Sequence, residues 1–185
     1  MTLADEETIT LAAKDDSSAQ YLTFIMADEE YGVDILSVQE IRGWEPTTVI
    51  PNAPSHVKGV INLRGTIVPI IDLRQRFGIA SLDYGPTTVV IVIKVSVAEE
   101  QKVIGIVVDA VSDVFSVQPK DLRDAPDFGE DTDLTFIKGL ANLDDKMVIL
   151  LDINTLLSSE VLPEAAQLSN IINHIDAELT QAVSA

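Results

Sequence analysis

The feature that most narrows the fold is a hairpin-forming stretch, residues 56–73, that occurs twice. It reads His-Val-Lys-Gly-Val-Ile-Asn-Leu-Arg-Gly-Thr-Ile-Val-Pro-Ile-Ile-Asp-Leu, two apolar β-branched runs broken by Asn62-Leu63-Arg64-Gly65. Gly65 takes positive φ without steric penalty, so the pattern predicts a chain reversal near Arg64-Gly65. The pattern returns over residues 137–153, where Lys58, Gly59, Asn62, Leu63, Val68 and Asp72 each recur identically 80 positions on. One ungapped offset over that span identifies an internal duplication. A second set of matches extends it at an offset of 73, with Gly32 matching Gly105, Val38 and Ile41 matching Val111 and Val114, and Glu40 matching Asp113. The duplication thus covers almost the whole folded region.

The expected elements follow from local pattern. Residues 1–20 carry Asp5, Glu6, Glu7, Asp15 and Asp16 with little apolar periodicity and read as a disordered acidic arm. Residues 21–27 and 31–35 are strand candidates around an Asp28-Glu29-Glu30 turn. Residues 36–42 read as a short helical turn, with Val38 and Ile41 on one side and Glu40 beside them. Pro46, Pro51 and Pro54 make 43–55 an irregular connection. Asp72 stands where a helix N-cap belongs, and Gly78 can end the short helix that follows. The second cycle repeats this: a valine- and isoleucine-rich buried strand at 88–97, a return at 103–108, an acidic loop at 120–133, then the second hairpin and a helix at 152–157. Beyond Ser159 the residues Leu168, Ile171, Ile172, Ile175 and Leu179 fall at helical spacing, predicting a C-terminal amphipathic helix over part of 159–185 that packs back on the body or docks a partner. Small antiparallel units of this kind escape exposed edges by closing, so 21–158 is expected to be mainly β, two similar five-stranded barrels side by side with a groove between them.

Composition excludes several functions. Against 30 acidic residues stand 12 basic ones, a formal net charge of −18. Phosphate neutralisation needs clustered lysine and arginine, so nucleic acid is not an expected partner, and anionic lipid is disfavoured for the same reason. The absence of cysteine removes disulfides, thiolate metal sites and cysteine nucleophiles. No secretory signal pattern opens the chain and no apolar run reaches bilayer length, so the expectation is a soluble cytoplasmic protein without direct membrane insertion. His56 and His174 lie in different elements without a ligand set around them, and Asp121, Asp124, Asp127, Glu130, Asp131 and Asp133 lack the spacing of a calcium loop. No nucleophile elbow or phosphate-binding loop occurs. The expectation is therefore a protein without cofactor, metal or catalysis; an acidic β-barrel enzyme with an unrecognised site is the alternative.

The sharpest local signal comes from comparing the repeats. Where the first hairpin has Arg64-Gly65, the second has Asp144-Asp145. A turn needs only residues tolerant of its geometry, so the arginine is not demanded by the hairpin. A guanidinium on a tight turn is a good anchor for a partner carboxylate; the competing reading is a surface arginine paired with a local acid such as Glu40.

Taken together, Tyr31-Gly32-Val33-Asp34-Ile35, Val38-Gln39-Glu40-Ile41-Arg42-Gly43, Lys58-Gly59-Val60-Ile61-Asn62-Leu63-Arg64-Gly65, Pro69-Ile70-Ile71-Asp72-Leu73 and Gly105-Ile106-Val107-Val108-Asp109 resemble the CheW family of bacterial chemotaxis coupling proteins, in order and over about 21–158. The resemblance implies two intertwined five-stranded SH3-like barrels and a non-catalytic adaptor that joins the cytoplasmic tips of chemoreceptors to the regulatory domain of the histidine kinase CheA, recruited to membrane-associated receptor arrays. It places Val38, Glu40, Arg64 and Gly65 on the receptor-coupling surface, ties Gly59, Val111 and Val114 to coupling, and assigns Arg123 and Phe128 to contacts that link such domains into rings.

Overall fold

The computed structural model describes residues 18–80, 82–97, 99–125 and 135–158. The expected acidic arm, C-terminal helix and Phe128 lie outside the described residues, apart from Ser18 to Gln20. The first cycle supplies β1 (Ala19–Met26), β2 (Glu29–Asp34), β3 (Val38–Gly43), β4 (Val57–Leu63), β5 (Thr66–Asp72) and α1 (Leu73–Arg76). The second supplies β6 (Val89–Val97), β7 (Glu100–Val108), β8 (Ala110–Val117), β9 (Leu122–Arg123), β10 (Ile137–Leu143), β11 (Lys146–Leu151) and α2 (Ile153–Ser158).

The strands form two sheets, and neither sheet belongs to one cycle. The order is β8-β1-β2-β11-β10-β9 in the first and β3-β6-β7-β5-β4 in the second. Each cycle therefore contributes its first two strands to one sheet and its later strands to the other. The exchange is made at two parallel pairings, Leu150 with Gly32 and Ile70 with Gly105; the other strand pairings are antiparallel. The matched glycines sit where strands from different cycles cross. A Cβ on Gly32 would lie 2.8 Å from Leu150 Cδ2, and one on Gly105 would lie 2.5 Å from Ile70 Cδ1.

The ends of each sheet are joined by the onward run of one strand. After β3 the chain continues to Thr48, which exchanges two 2.9 Å backbone hydrogen bonds with Val60 of β4 at the far end of the second sheet. After β8 a 3-10 turn, Pro119–Asp121, leads into β9, which pairs with β10 at the far end of the first. The six-stranded first sheet and the five-stranded second thus each turn back on themselves, consistent with the expected barrels. Closure explains Gly59: its φ is +128°, and a Cβ there would lie 2.1 Å from the Thr48 carbonyl oxygen.

The space between the barrels is filled rather than open. Leu22, Phe24, Met26, Val33 and Leu151 from the first sheet meet Ile71, Ile91, Ile93, Ile104 and Ile106 from the second in one buried cluster. Separate clusters fill the barrels, one around Tyr21, Ala141, Val148 and Leu150, the other around Val68, Ile70, Val90, Val92 and Val107. Strand β6 alternates between two of these cores, Val90 and Val92 inward and Ile91, Ile93 and Val95 outward, which is why its sequence is apolar at consecutive positions.

The residues read as a helical turn over 36–42 divide differently. A 3-10 turn occupies Ile35–Ser37, where the Asp34 carboxylate accepts the Leu36 N–H at 2.9 Å, and Val38–Gly43 is strand β3. The i, i+3 spacing of Val38 and Ile41 mimicked a helix, but antiparallel pairing with β6 decides the conformation. Consequently Glu40 and Arg42 share a half-buried face and Ile41 lies on the opposite, exposed one, while the bulge between Val38 and Glu40 turns Val38 to the side of Ile93 and the central core. The N-caps are as expected: Asp72 accepts the N–H groups of Arg74 and Gln75, and Asp152 accepts that of Thr155. Gly78 follows α1 at φ +73°.

Candidate functional site

The first hairpin places its tip beside β3. Arg64 and Gly65 form a two-residue turn with φ of 51° and 88°, the left-handed pair that matches the twist of the flanking strands. The Gly65 N–H donates to Asn62 Oδ1 at 2.8 Å, fixing the tip. From there Arg64 Nη2 donates to Glu40 Oε2 at 2.9 Å. The other Glu40 oxygen is 3.9 Å from Arg42 Nε, and Arg42 Nη2 lies 3.3 Å from Glu45 Oε2. A chain of alternating charge, Arg64–Glu40–Arg42–Glu45, therefore runs along the edge of the second barrel.

The local pairing weighed against an interaction role is thus present, and it does not close the site. The Arg64 side chain remains 76% exposed while Glu40 is 26% exposed. An ion pair this open contributes about 0–1 kcal/mol to stability. It orients the guanidinium without burying it, leaving an outward edge for a planar, bidentate carboxylate contact.

The remaining expected residues separate into distinct places. Val38, separated from Glu40 by a bulge in β3, packs half-buried on the core between the barrels. Val111 and Val114 lie on β8 in the other sheet, Val111 packed on the same central core and Val114 45% exposed opposite Leu22 of β1. Gly59 is buried under the Thr48 carbonyl, so it acts by packing and offers no contact surface. Arg123 is exposed on β9, and its carbonyl lies over Gly139 as that of Thr48 lies over Gly59.

Sequence reasoning passed over Arg42, Glu45, Trp44 and Tyr84. The alternation Glu40-x-Arg42 on a strand would have revealed Arg42. Trp44 and Tyr84 meet with ring centroids 4.2 Å apart, and the Tyr84 hydroxyl donates to Asp72 Oδ2 at 2.5 Å. Burial, reinforced by the adjacent Asp72 carboxylate, pushes the Tyr84 phenol far above its ordinary range. On the first barrel Lys138 stands 5.3 Å over the Tyr21 ring; its hydrogen bond with Tyr21 is the main influence raising its pKa, opposed by burial.

Among the described residues, no group of three or more histidines, cysteines or carboxylates is placed to hold a metal, and no helix is long and apolar enough to cross a membrane. Two strand-exchanged barrels with an exposed, ion-paired tip define a scaffold, a protein whose working parts are surfaces. Comparison with known proteins specifies it. Residues 20–161 match the CheW-like domain model. The chain is 45% identical over 169 residues to the chemotaxis protein CheW of Klebsiella aerogenes, covering 91% of this chain and 98% of that protein. It is 37% identical over 141 residues to CheW of Rhizobium meliloti, covering 76% and 88%. Its fold is similar to the crystal structure of the scaffolding protein TtCheW from Thermoanaerobacter tengcongensis, with a TM-score of 0.69 and 32% identity over 78% of this chain and 98% of that one. The chain belongs to the CheW family of chemotaxis scaffold proteins, and the comparisons give no support to the enzyme alternative.

Proposed function

We propose that the protein couples the cytoplasmic tips of chemoreceptors to the regulatory domain of the histidine kinase CheA, in the cytoplasm and at membrane-associated arrays, without catalysing a reaction. The observation that carries the coupling surface is the exposed Arg64 guanidinium, oriented by Glu40 on a turn whose backbone does not require arginine. Glu40 flanks the tip on β3 and Gly65 shapes it, Gly59 and Val38 support the surface by packing beneath it, and Val111 and Val114 on β8 supply apolar surface from the other barrel. Arg123, exposed on β9, and Phe128 are assigned to ring contacts with neighbouring domains. Specific interfaces bury roughly 1,200–2,000 Å² in total, and two barrels present separate faces on which two partners can be held at once. Signal then passes as a coupling free energy, typically about 1–3 kcal/mol.

The test is co-sedimentation of CheA with receptor-containing membranes, with and without this protein and its Arg64→Glu variant. Kinase that pellets only with the unaltered protein supports the assignment. Kinase that pellets equally without the protein, or equally with the variant, removes the coupling role or the Arg64 surface respectively.

A further inference from the structure

Resting on the coupling surface read above, a second residue is drawn into it from the loop after α1. Tyr84 sits beside a cavity of about 160 Å³ that Asp72, Arg74 and Val107 also line. Two directional contacts therefore set its orientation. Its hydroxyl donates at 2.5 Å to the carboxylate of Asp72, which is 1% exposed. Its ring meets that of Trp44 at 4.2 Å with the planes inclined by 49°. Trp44 in turn sits where β3 leaves its ladder. Gly43 is paired with Val89, and the Trp44 N–H donates to the Thr88 carbonyl at 3.1 Å. Arg42, two residues before this tryptophan, and Glu45, the residue after it, continue the ion-pair chain through Glu40 to Arg64.

The second repeat indicates that helix capping alone does not require this tyrosine. There the cap carboxylate, Asp152, takes a hydroxyl from Thr155, three residues on, at 2.8 Å. A short local side chain satisfies the cap. In the first repeat the hydroxyl comes instead from a residue 12 positions away whose ring lies on Trp44. At the position matching Trp44 the second repeat has Val117, and its hairpin tip carries Asp144-Asp145 in place of arginine. The long reach occurs in the repeat that has the arginine to hold.

We propose that Tyr84 is a positioning residue for the Arg64 surface. Anchored by the Asp72 carboxylate, it fixes Trp44 and the end of β3, and through Arg42 and Glu40 it sets the presentation of the Arg64 guanidinium.

The experiment uses the full chain and Tyr84→Phe, which keeps the ring and deletes the hydroxyl. Thr155→Val is the matched control, deleting the corresponding cap hydroxyl of the second repeat. In the co-sedimentation assay Tyr84→Phe should raise the concentration for half-maximal kinase recruitment roughly two- to tenfold, the loss of one hydrogen bond's worth of order. Combined with Arg64→Ala it should add nothing, because its effect runs through that side chain. Equal weakening in both backgrounds, or the same weakening from Thr155→Val, would overturn the proposal in favour of a general structural role. If Arg64→Ala alone leaves recruitment unchanged, the coupling reading fails, and the Tyr84 proposal is then decided by NMR. A heteronuclear NOE at the Arg64 Nε–H that falls in Tyr84→Phe but not in Thr155→Val upholds it; an unchanged NOE overturns it. Should Tyr84→Phe fail to fold, Trp44→Phe interrupts the same link from the other side, with the same expected pattern in both assays.

Discussion

The two hairpin tips have nearly the same backbone and opposite charge. Arg64-Gly65 turns at φ of 51° and 88°, and Asp144-Asp145 at 48° and 62°. Leu63 pairs with Thr66 in one hairpin and Leu143 with Lys146 in the other. A turn that accepts two aspartates as readily as arginine and glycine leaves its side chains available for other uses. The tips then diverge: Arg64 is held by Glu40, while the position matching Glu40 is Asp113, an acid in a repeat whose tip is itself acidic. Shared backbone marks what the fold requires, and the divergent side chains are left open to a surface role, the one proposed for Arg64.

The same comparison made at the buried glycines should give the largest effect. Gly59 and Gly139 occupy matching bulges, each beneath a carbonyl from the segment that closes its barrel. Gly59 has φ +128° and would place a Cβ 2.1 Å from Thr48 O, whereas Gly139 lies outside the left-handed region with its nearest contact at 3.1 Å from Arg123 O. Gly59→Ala should cost on the order of 3 kcal/mol by urea denaturation, and Gly139→Ala about 1 kcal/mol. Equal costs would mean that the two closures are equivalent and that Gly59 is not the more constrained position.

At the tips the expected separation is functional. Arg64→Glu should weaken receptor-dependent kinase recruitment by about a hundredfold, since a like charge set against a partner carboxylate costs several kcal/mol. Its folding stability should change by only about 0.5 kcal/mol, because the native pair is exposed. Asp144→Lys, the reciprocal reversal, should leave recruitment unaltered. Loss of recruitment from Asp144→Lys would make both tips part of the coupling surface.

The strand exchange can be tested at its two crossings. Gly105→Ala meets both Ile70 Cδ1 at 2.5 Å and Val90 Cγ1 at 2.9 Å, while Gly32→Ala meets Leu150 Cδ2 at 2.8 Å with its other contacts at 3.5 Å. The first should cost about 2 kcal/mol and the second about 1 kcal/mol. The reverse order in thermal denaturation would show that the second barrel repacks more easily than its contacts imply.

What could be read from the chain divides along the same physical line. Hairpins, caps and the duplication were legible because each depends on neighbouring residues: Asn62 to Gly65 for a turn, Asp72 and Asp152 for the helix starts. The exchange of strands was not legible in local pattern, since Gly32 and Gly105 are equally suited to Leu150 and Ile70 and two copies of one partner cannot be told apart; only the resemblance implied intertwined barrels. Strand β3 was obscured for a related reason, as its conformation is decided by β6, about 50 residues away. Of the site, Arg64 stood out by contrast with Asp144-Asp145. Glu40 stood out as a local acid able to pair with it, and the resemblance put both on one surface. Trp44 and Tyr84 carried no signal, because their contact joins two connections 40 positions apart.

The smallest expected effect compares the hydroxyls at the two caps. Thr155 does not titrate in the ordinary range, whereas Tyr84 is a phenol whose pKa is raised above the usual value of 10.0 by burial first and by Asp72 second. A raised folded-state pKa means that the native protein retains a proton the unfolded chain gives up. The associated stability is fully present below pH 10 and is lost as pH rises further toward the folded pKa. Tyr31, raised by burial and Glu29, and Lys138, raised chiefly by its hydrogen bond to Tyr21, act in the same direction, so the whole protein should lose stability in alkali. Tyr84→Phe should therefore lower stability at pH 8 by about 1 kcal/mol through the lost hydrogen bond, yet flatten the decline above pH 10. Urea denaturation of both proteins between pH 8 and pH 11 tests this. Parallel curves would place the alkaline sensitivity on Tyr31 and Lys138, and with it on the first barrel instead of the second.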